Sequence, residues 1–374
     1  MKIDRLTLHA VPMAVGMDLT RYVAAQRIDP QLETLVVRLD TACGLTGWGE
    51  VCSAPPYYAP ALSAGARAGI LHVAPLVLDR DPRQVRAIIG DIGAALRGHG
   101  NAKTALETAL WDLAAKAHGL PLVDLWGGRV ARRLPLLGVV RIQSREAILA
   151  SLATHRAAGY SRFQVKLGAA APEADIAAIR MVMETLAPHE RVWFDPNRGW
   201  LPDDAMRVLS AIRDLSPMVE NPCETYEDCR RIARRTGLPF MLDEAIDGPR
   251  RFIQAAEDGV MDVATVKLSG VGGLEAARAI TGLGALYGIP MRIEDYYGTG
   301  ILLACVTHLA QTLPENLVFG LYDYVSPDVP LVSNPLRPEN GTIGLPEAPG
   351  YGLGVKIDQT VLGTATDTLR SDGR

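Results

Sequence analysis

Five charged residues end five successive apolar runs at a nearly constant spacing, and that rhythm leaves few architectures open. Phe163-Gln164-Val165-Lys166 is followed by Val192-Trp193-Phe194-Asp195, then by Pro217-Met218-Val219-Glu220, Pro239-Phe240-Met241-Leu242-Asp243 and Val263-Ala264-Thr265-Val266-Lys267. The intervals between the charged ends are 29, 25, 23 and 24 residues, each the length of one strand, one loop and one helix. Repeated strand–helix units close into a barrel of parallel strands, and charges at the strand ends then converge on one mouth, where such folds place their chemistry.

The rest of the chain extends the pattern. Residues 134–140, Met291-Arg292-Ile293-Glu294 and Leu317-Val318-Phe319 supply further strands, for about eight strands with about seven helices between them. The helix after Glu220 opens on Thr225-Tyr226-Glu227-Asp228, an N-cap turn with an acidic third position. Before the barrel the texture differs. Residues 3–8 and 34–39 read as antiparallel strands, with Gly44 and Gly47 supplying turns. Residues 102–118 read as a helix with Ala105, Leu106, Ala109, Leu110 and Leu113 on one stripe. The expected fold class is α/β: a modified TIM barrel of (β/α)7β type with an N-terminal α+β capping domain. The expected boundaries are 1–125 for the cap, 126–325 for the barrel, and 326–374 for a Pro- and Gly-rich segment that returns to the cap.

Composition narrows the function classes. A chain of 374 residues is too long for one small core. A net charge of −4 offers no global field for nucleic acid or an anionic membrane, so neither is expected as a partner. The Arg230, Arg231, Arg234 and Arg235 cluster reads as a solvated helix face. Five cysteines without ligand spacing point to reduced thiols. No apolar stretch approaches the roughly 18 residues of a membrane span, and Met1 to Arg5 reads as the start of a strand rather than a signal core. A cytoplasmic homo-oligomer acting on a small molecule is expected.

Asp195, Glu220 and Asp243 are hard oxygen donors of the kind magnesium prefers, and three carboxylates at one mouth repel one another without a cation between them. Lys166 and Lys267 lie four strands apart and should face each other across that mouth. A lysine beside other cations has its neutral form favoured, as a general base requires.

Those residues resemble the enolase superfamily, and within it the muconate lactonizing enzyme subgroup, over nearly the whole chain. The resemblance rests on Gly47-Trp48-Gly49-Glu50, on residues 105–112 with Leu125-Trp126-Gly127-Gly128, and on barrel motifs. The motifs are Asp195-Pro196-Asn197, Glu220-Asn221-Pro222, Asp243-Glu244, and Lys267-Leu268-Ser269 with Gly272-Gly273-Leu274. It implies that Asp195, Glu220 and Asp243 bind Mg2+ and that Lys166 and Lys267 are the acid/base catalysts. One departure stands out: the subgroup's Lys-x-Lys is here Gln164-x-Lys166. The histidine that ends the seventh strand in mandelate racemases is absent, with Glu294-Asp295 in its place. His308 reads as a packed surface-helix residue rather than a base.

The Gln-x-Lys variant, with Pro56-Tyr57-Tyr58-Ala59-Pro60, is similar to superfamily members that act on proline derivatives. Glu294, Asp295, Tyr296 and Tyr297 suit an ammonium or cyclic imino group. Gln164, Asn197, Tyr58, Glu294, Asp295 and Tyr297 are therefore the expected substrate contacts. The resemblance implies dehydration of cis-3-hydroxy-L-proline, with 2-epimerisation of proline, hydroxyproline or its betaine as the alternative. Cycloisomerisation and sugar-acid dehydration fit the acids but not the charged seventh strand. A non-catalytic barrel would need no facing lysines.

Overall fold

Alternating apolar residues at the N-terminus form a sheet that needs a helix to cover it. In the computed structural model, which describes residues 1–14, 31–53, 62–141, 144–168, 170–323 and 329–371, β1 (Ile3–Ala14), β2 (Gln31–Thr41) and β3 (Thr46–Cys52) pair antiparallel. Leu6, Leu8, Leu35, Val37 and Leu39 are buried in that sheet. Helices α1 (Ser63–Val73), α2 (Val85–Ala95) and α3 (Gly100–Ala117) complete the cap. Helix α3 lies directly on β3, and glycine makes that approach possible. A Cβ on Gly49 would overlap the carbonyl oxygen of Ala105, and one on Gly47 that of Ala109.

After a short α4 (Leu122–Leu125) and β4 (Leu134–Pro135) the barrel begins. Its order is β5 (Gly138–Val140), α5 (Arg145–Ala157), β6 (Arg162–Lys166), α6 (Pro172–Met183), β7 (Arg191–Asp195), α7 (Pro202–Ala211), β8 (Met218–Glu220) and α8 (Tyr226–Thr236). There follow β9 (Phe240–Leu242), α9 (Pro249–Asp258), β10 (Val263–Lys267), α10 (Leu274–Tyr287), β11 (Met291–Glu294), α11 (Gly300–Ala310) and β12 (Val318–Leu321). The eight strands form one curled, all-parallel sheet in sequence order. A bridge between Leu136 and Leu321 joins its two ends. Beyond it, β13 (Thr342–Ile343) pairs with β4, and after α12 (Gln359–Leu362) the last strand β14 (Asp367–Arg370) pairs with β1. No helix among the described residues is long and apolar enough to cross a membrane.

Two sequence expectations change. The strand expected over 134–140 is split, because Pro135 has no N–H for a central ladder. It pairs instead with Thr342, and the barrel strand starts at Gly138. His308 is not at the surface but fully buried, accepting from Val123 N at 3.0 Å with its other nitrogen 3.3 Å from Leu353 O. Burial pushes its pKa down to about 3, so it stays a neutral strut. The Thr225 cap is as expected, its hydroxyl accepting from Asp228 N.

Cap and barrel are joined through α3. Buried Glu107 accepts from Glu275 N at 2.8 Å in the first turn of α10, where a helix N-terminus favours an anion. Burial, with the charge of Glu275, still pushes Glu107 from its ordinary 4.5 up to about 7. The folded state then holds a proton that the unfolded state releases between those two values, so this group's contribution to stability falls as pH rises through that window. Glu107→Gln has no such proton to lose and keeps an acceptor. Denaturation measured from pH about 5 to about 8 should therefore show the stability difference moving in the variant's favour. A pH-independent difference would refute the assignment.

Candidate active site

Residues two apart on a strand point to the same side, so each strand-end charge has a companion one layer deeper in the barrel. Gln164 lies below Lys166 on β6, Trp193 below Asp195 on β7, and Arg292 below Glu294 on β11. Trp193 also belongs, with Leu137, Met241 and Val263, to a small apolar cluster separate from the core between sheet and helices. The charged layer therefore rests on a packed floor.

Lys166 Nζ donates to Asp195 Oδ2 at 2.6 Å, and Gln164 Nε2 donates to Asp195 Oδ2 at 2.9 Å and Glu220 Oε2 at 2.6 Å. Glu220 Oε2 also accepts from Trp193 Nε1 at 2.7 Å and from Arg292 at 3.1 Å, while a second Arg292 nitrogen reaches Oε1. Lys267 donates to Asp243 and lies 3.4 Å from Glu244 and 3.9 Å from Glu294. Arg292 also pairs with Glu294, 2.9 Å away. Lys166 and Lys267 sit on β6 and β10, four strands apart, and line one cavity with Gln164, Asp243, Glu294, Asp295, Tyr297 and Tyr322. With both lysines folded onto the acids that cavity is about 40 Å3, room for a water or two.

The electrostatics are unbalanced. Among the described residues Asp195, Glu220, Asp243, Glu244, Glu294 and Asp295 are six carboxylates with buried side chains against three buried cations, Lys166, Lys267 and Arg292, so negative charge is in excess. The strain falls unevenly. Burial and then the charge of Glu220 push Asp195 up to about 6, and burial with Glu244 raises Asp243 well above the usual carboxylate range. Burial opposes ionisation of Glu220 too, but Arg292 and Lys166 hold it down at about 2. Among the described residues no three His, Cys, Asp or Glu stand close enough to hold a metal as they lie. Their spacing is that of ion pairs with lysine and arginine. The donor chemistry nevertheless fits a hard divalent cation. The donors are all oxygen, negative charge is in excess, and among the described residues Asp243 Oδ1 and Glu244 Oε2 are buried without a hydrogen-bond partner.

The remaining expected contacts divide. Gln164 lies on the acids. Asp295 is fixed by its neighbours, Oδ2 accepting from Ser269 N at 3.2 Å and Ser269 Oγ at 2.6 Å, and Oδ1 from Tyr296 N at 2.9 Å. Glu294 stands between Arg292 and Lys267. Asn197, in the loop after β7, has a left-handed backbone, donates its N–H to Asp195 Oδ1 at 2.8 Å, and has a buried side-chain nitrogen without a partner among the described residues. Tyr58 lies outside the described residues. Sequence reasoning missed Trp193, Arg292 and Asn221. The last, also left-handed, accepts from Asp243 N and Ala245 N at 3.3 and 3.0 Å and so sets the turn after β9. The signal for the first two was available in the period-two spacing from Asp195 and Glu294.

Comparison with known proteins agrees with this fold. Residues 147–361 match the model of the enolase C-terminal domain-like family, and residues 12–127 that of the mandelate racemase/muconate lactonizing enzyme N-terminal domain. The chain is 35% identical to a cis-3-hydroxy-L-proline dehydratase of Roseibium aggregatum, over 86% of this chain and 88% of that one. It is 25% identical to an L-Ala-D/L-Glu epimerase of Bacillus subtilis, over 91% and 94%. A solved enolase superfamily member from Roseovarius nubinhibens, complexed with magnesium, superposes with a TM-score of 0.91 at 32% identity, covering 99% of each chain. The chain belongs to the enolase superfamily and carries both the N-terminal and the C-terminal domain of its mandelate racemase/muconate lactonizing enzyme branch.

Proposed function

We propose that this protein is a magnesium-dependent hydro-lyase that converts cis-3-hydroxy-L-proline to Δ1-pyrroline-2-carboxylate and water. The observation that carries the reading is the placement of Lys166 and Lys267 four strands apart on one cavity. In the cis isomer the 3-hydroxyl shares a ring face with the carboxylate, so the α-proton lies on the opposite face. Losing both needs a base on one side and an acid on the other, and two facing lysines supply that pair. The 35% identity to a dehydratase of this substrate supports the same choice.

Asp195, Glu220 and Asp243 would hold the magnesium. When bound, the ion supplies a Lewis acid that polarises the substrate carboxylate and steadies the charge left after proton loss. One lysine, neutral, takes the α-proton. The electron pair moves into the ring as the C3–O bond breaks, and the opposite lysine, protonated, delivers its proton to the departing hydroxyl. The enamine that remains tautomerises to the imine. Glu294 and Asp295 both line the cavity and are the acidic partners for the ring ammonium, Glu294 held in place by Arg292 and Asp295 by Ser269 and Tyr296. Tyr296, whose ring lies 5.3 Å from Lys267 Nζ, walls the lysine from water.

Incubation with cis-3-hydroxy-L-proline and Mg2+ should yield one pyrroline-2-carboxylate per substrate consumed. The same lysine pair suits 2-epimerisation of proline, hydroxyproline or a betaine. In D2O that activity would deuterate the α-carbon without loss of water. If none of these compounds exchanges its α-proton, the proline reading is wrong.

A further inference from the structure

We infer that Glu50, on the capping sheet, is a positioning residue that holds the substrate-facing loop between β11 and α11 from outside the reaction centre. Glu50 lies on β3 with its carboxylate buried, and Thr299 donates both its backbone N–H and its hydroxyl to it, one to each oxygen. Thr299 is the N-cap of α11, its hydroxyl also accepting from Ile301 N at 3.4 Å. Two residues along each chain, Cys52 and Tyr297 form an antiparallel bridge. Between these contacts sits Gly298, where a Cβ would fall 2.6 Å from Glu50 Oε1, so only glycine lets the loop come this near.

The loop gripped in this way carries Asp295, Tyr296 and Tyr297, all of which line the cavity. Its inner end is fixed by Ser269 on Asp295, and its outer end by Glu50 on Thr299. The wall that faces Lys267 is therefore strung between barrel and cap. A carboxylate is an expensive choice for mere filling. Burial, reinforced by the charge of Asp295, raises Glu50 to about 7, and an apolar residue would occupy the space without that penalty. What an apolar residue lacks is two acceptors for the donors of Thr299. Removing them frees the loop while leaving the lysines and acids in place.

The kinetic arm of the test rests on the proline reading; the exchange arm does not. In Glu50→Gln, and separately in Thr299→Val, amide hydrogen exchange over residues 295–300 of the resting protein should speed up about tenfold, as the loss of a charge-assisted hydrogen bond implies. KM for cis-3-hydroxy-L-proline should rise about tenfold with kcat held within about twofold, the signature of lost substrate positioning. Unchanged exchange in both variants overturns the clamp. Faster exchange with unchanged KM makes Glu50 purely structural and overturns the positioning role. If the wild type does not turn over the compound, the functional reading fails, and the exchange arm still decides whether Glu50 holds the loop.

Discussion

Lys267→Met and Lys166→Met should each lower kcat for dehydration by about 100- to 10,000-fold, the range supplied by a positioned proton-transfer group. Elimination across the two ring faces needs both lysines, so neither variant should keep appreciable activity. Epimerisation chemistry separates them differently. Each single variant would still exchange the α-proton of one enantiomer in D2O, because only one face has lost its base. The structural consequences also differ from the chemical ones. Lys166 is the ion-pair partner of buried Asp195, and Lys267 that of buried Asp243, so each variant leaves a carboxylate with less compensation and should lose stability. Thermal denaturation alongside kinetics shows which effect is read. Full turnover in either folded variant removes that lysine from the mechanism.

The barrel was legible because its signal is periodic. Charged ends spaced 23 to 29 residues apart can be produced by little else than strand–helix repeats, and the same spacing named Lys166, Asp195, Glu220, Asp243 and Lys267. What the spacing could not convey is where each side chain donates. Gln164 reads as a substrate contact in the sequence; in space it lines the cavity, and its amide also bridges Asp195 and Glu220. Arg292 sits in an ordinary apolar-looking strand, and only the three-dimensional closure of the sheet brings it from β11 to Glu220 on β8. Asp295 and Glu294 are adjacent in sequence and so indistinguishable there. In space one is tied to Ser269, while the other sits between Arg292 and Lys267. Helix α11 misled for a different reason. Ten of its residues, Ile301 to Ala310, are buried, so it has no polar face from which the orientation of His308 could be read.

Asp243→Asn should separate metal binding from folding, because the two respond with opposite sign. Asp243 is one of six carboxylates with buried side chains facing three buried cations, and burial with the neighbouring Glu244 raises its pKa well above the ordinary value. Its charge is therefore a burden on the metal-free fold. Asparagine keeps the shape and an oxygen acceptor for Lys267, so the metal-free variant should be at least as stable as the wild type. Mg2+ should stabilise the wild type by about 2.7 kcal/mol at a hundredfold excess over its Kd, a shift of a few degrees in Tm. A chelator should reverse that shift and remove activity. In Asp243→Asn the Mg2+-dependent rise in Tm should vanish and turnover should fall by at least about a thousandfold. Thermal melts with and without Mg2+, with titration calorimetry of the ion alone, read binding without any substrate. Equal stabilisation of both proteins by Mg2+ would place the ion elsewhere and leave Asp243 as nothing more than the ion-pair partner of Lys267. The opposite signs matter because a variant that merely damaged the fold would lose stability in both conditions. A ligand residue that burdens the empty site should lose it in only one.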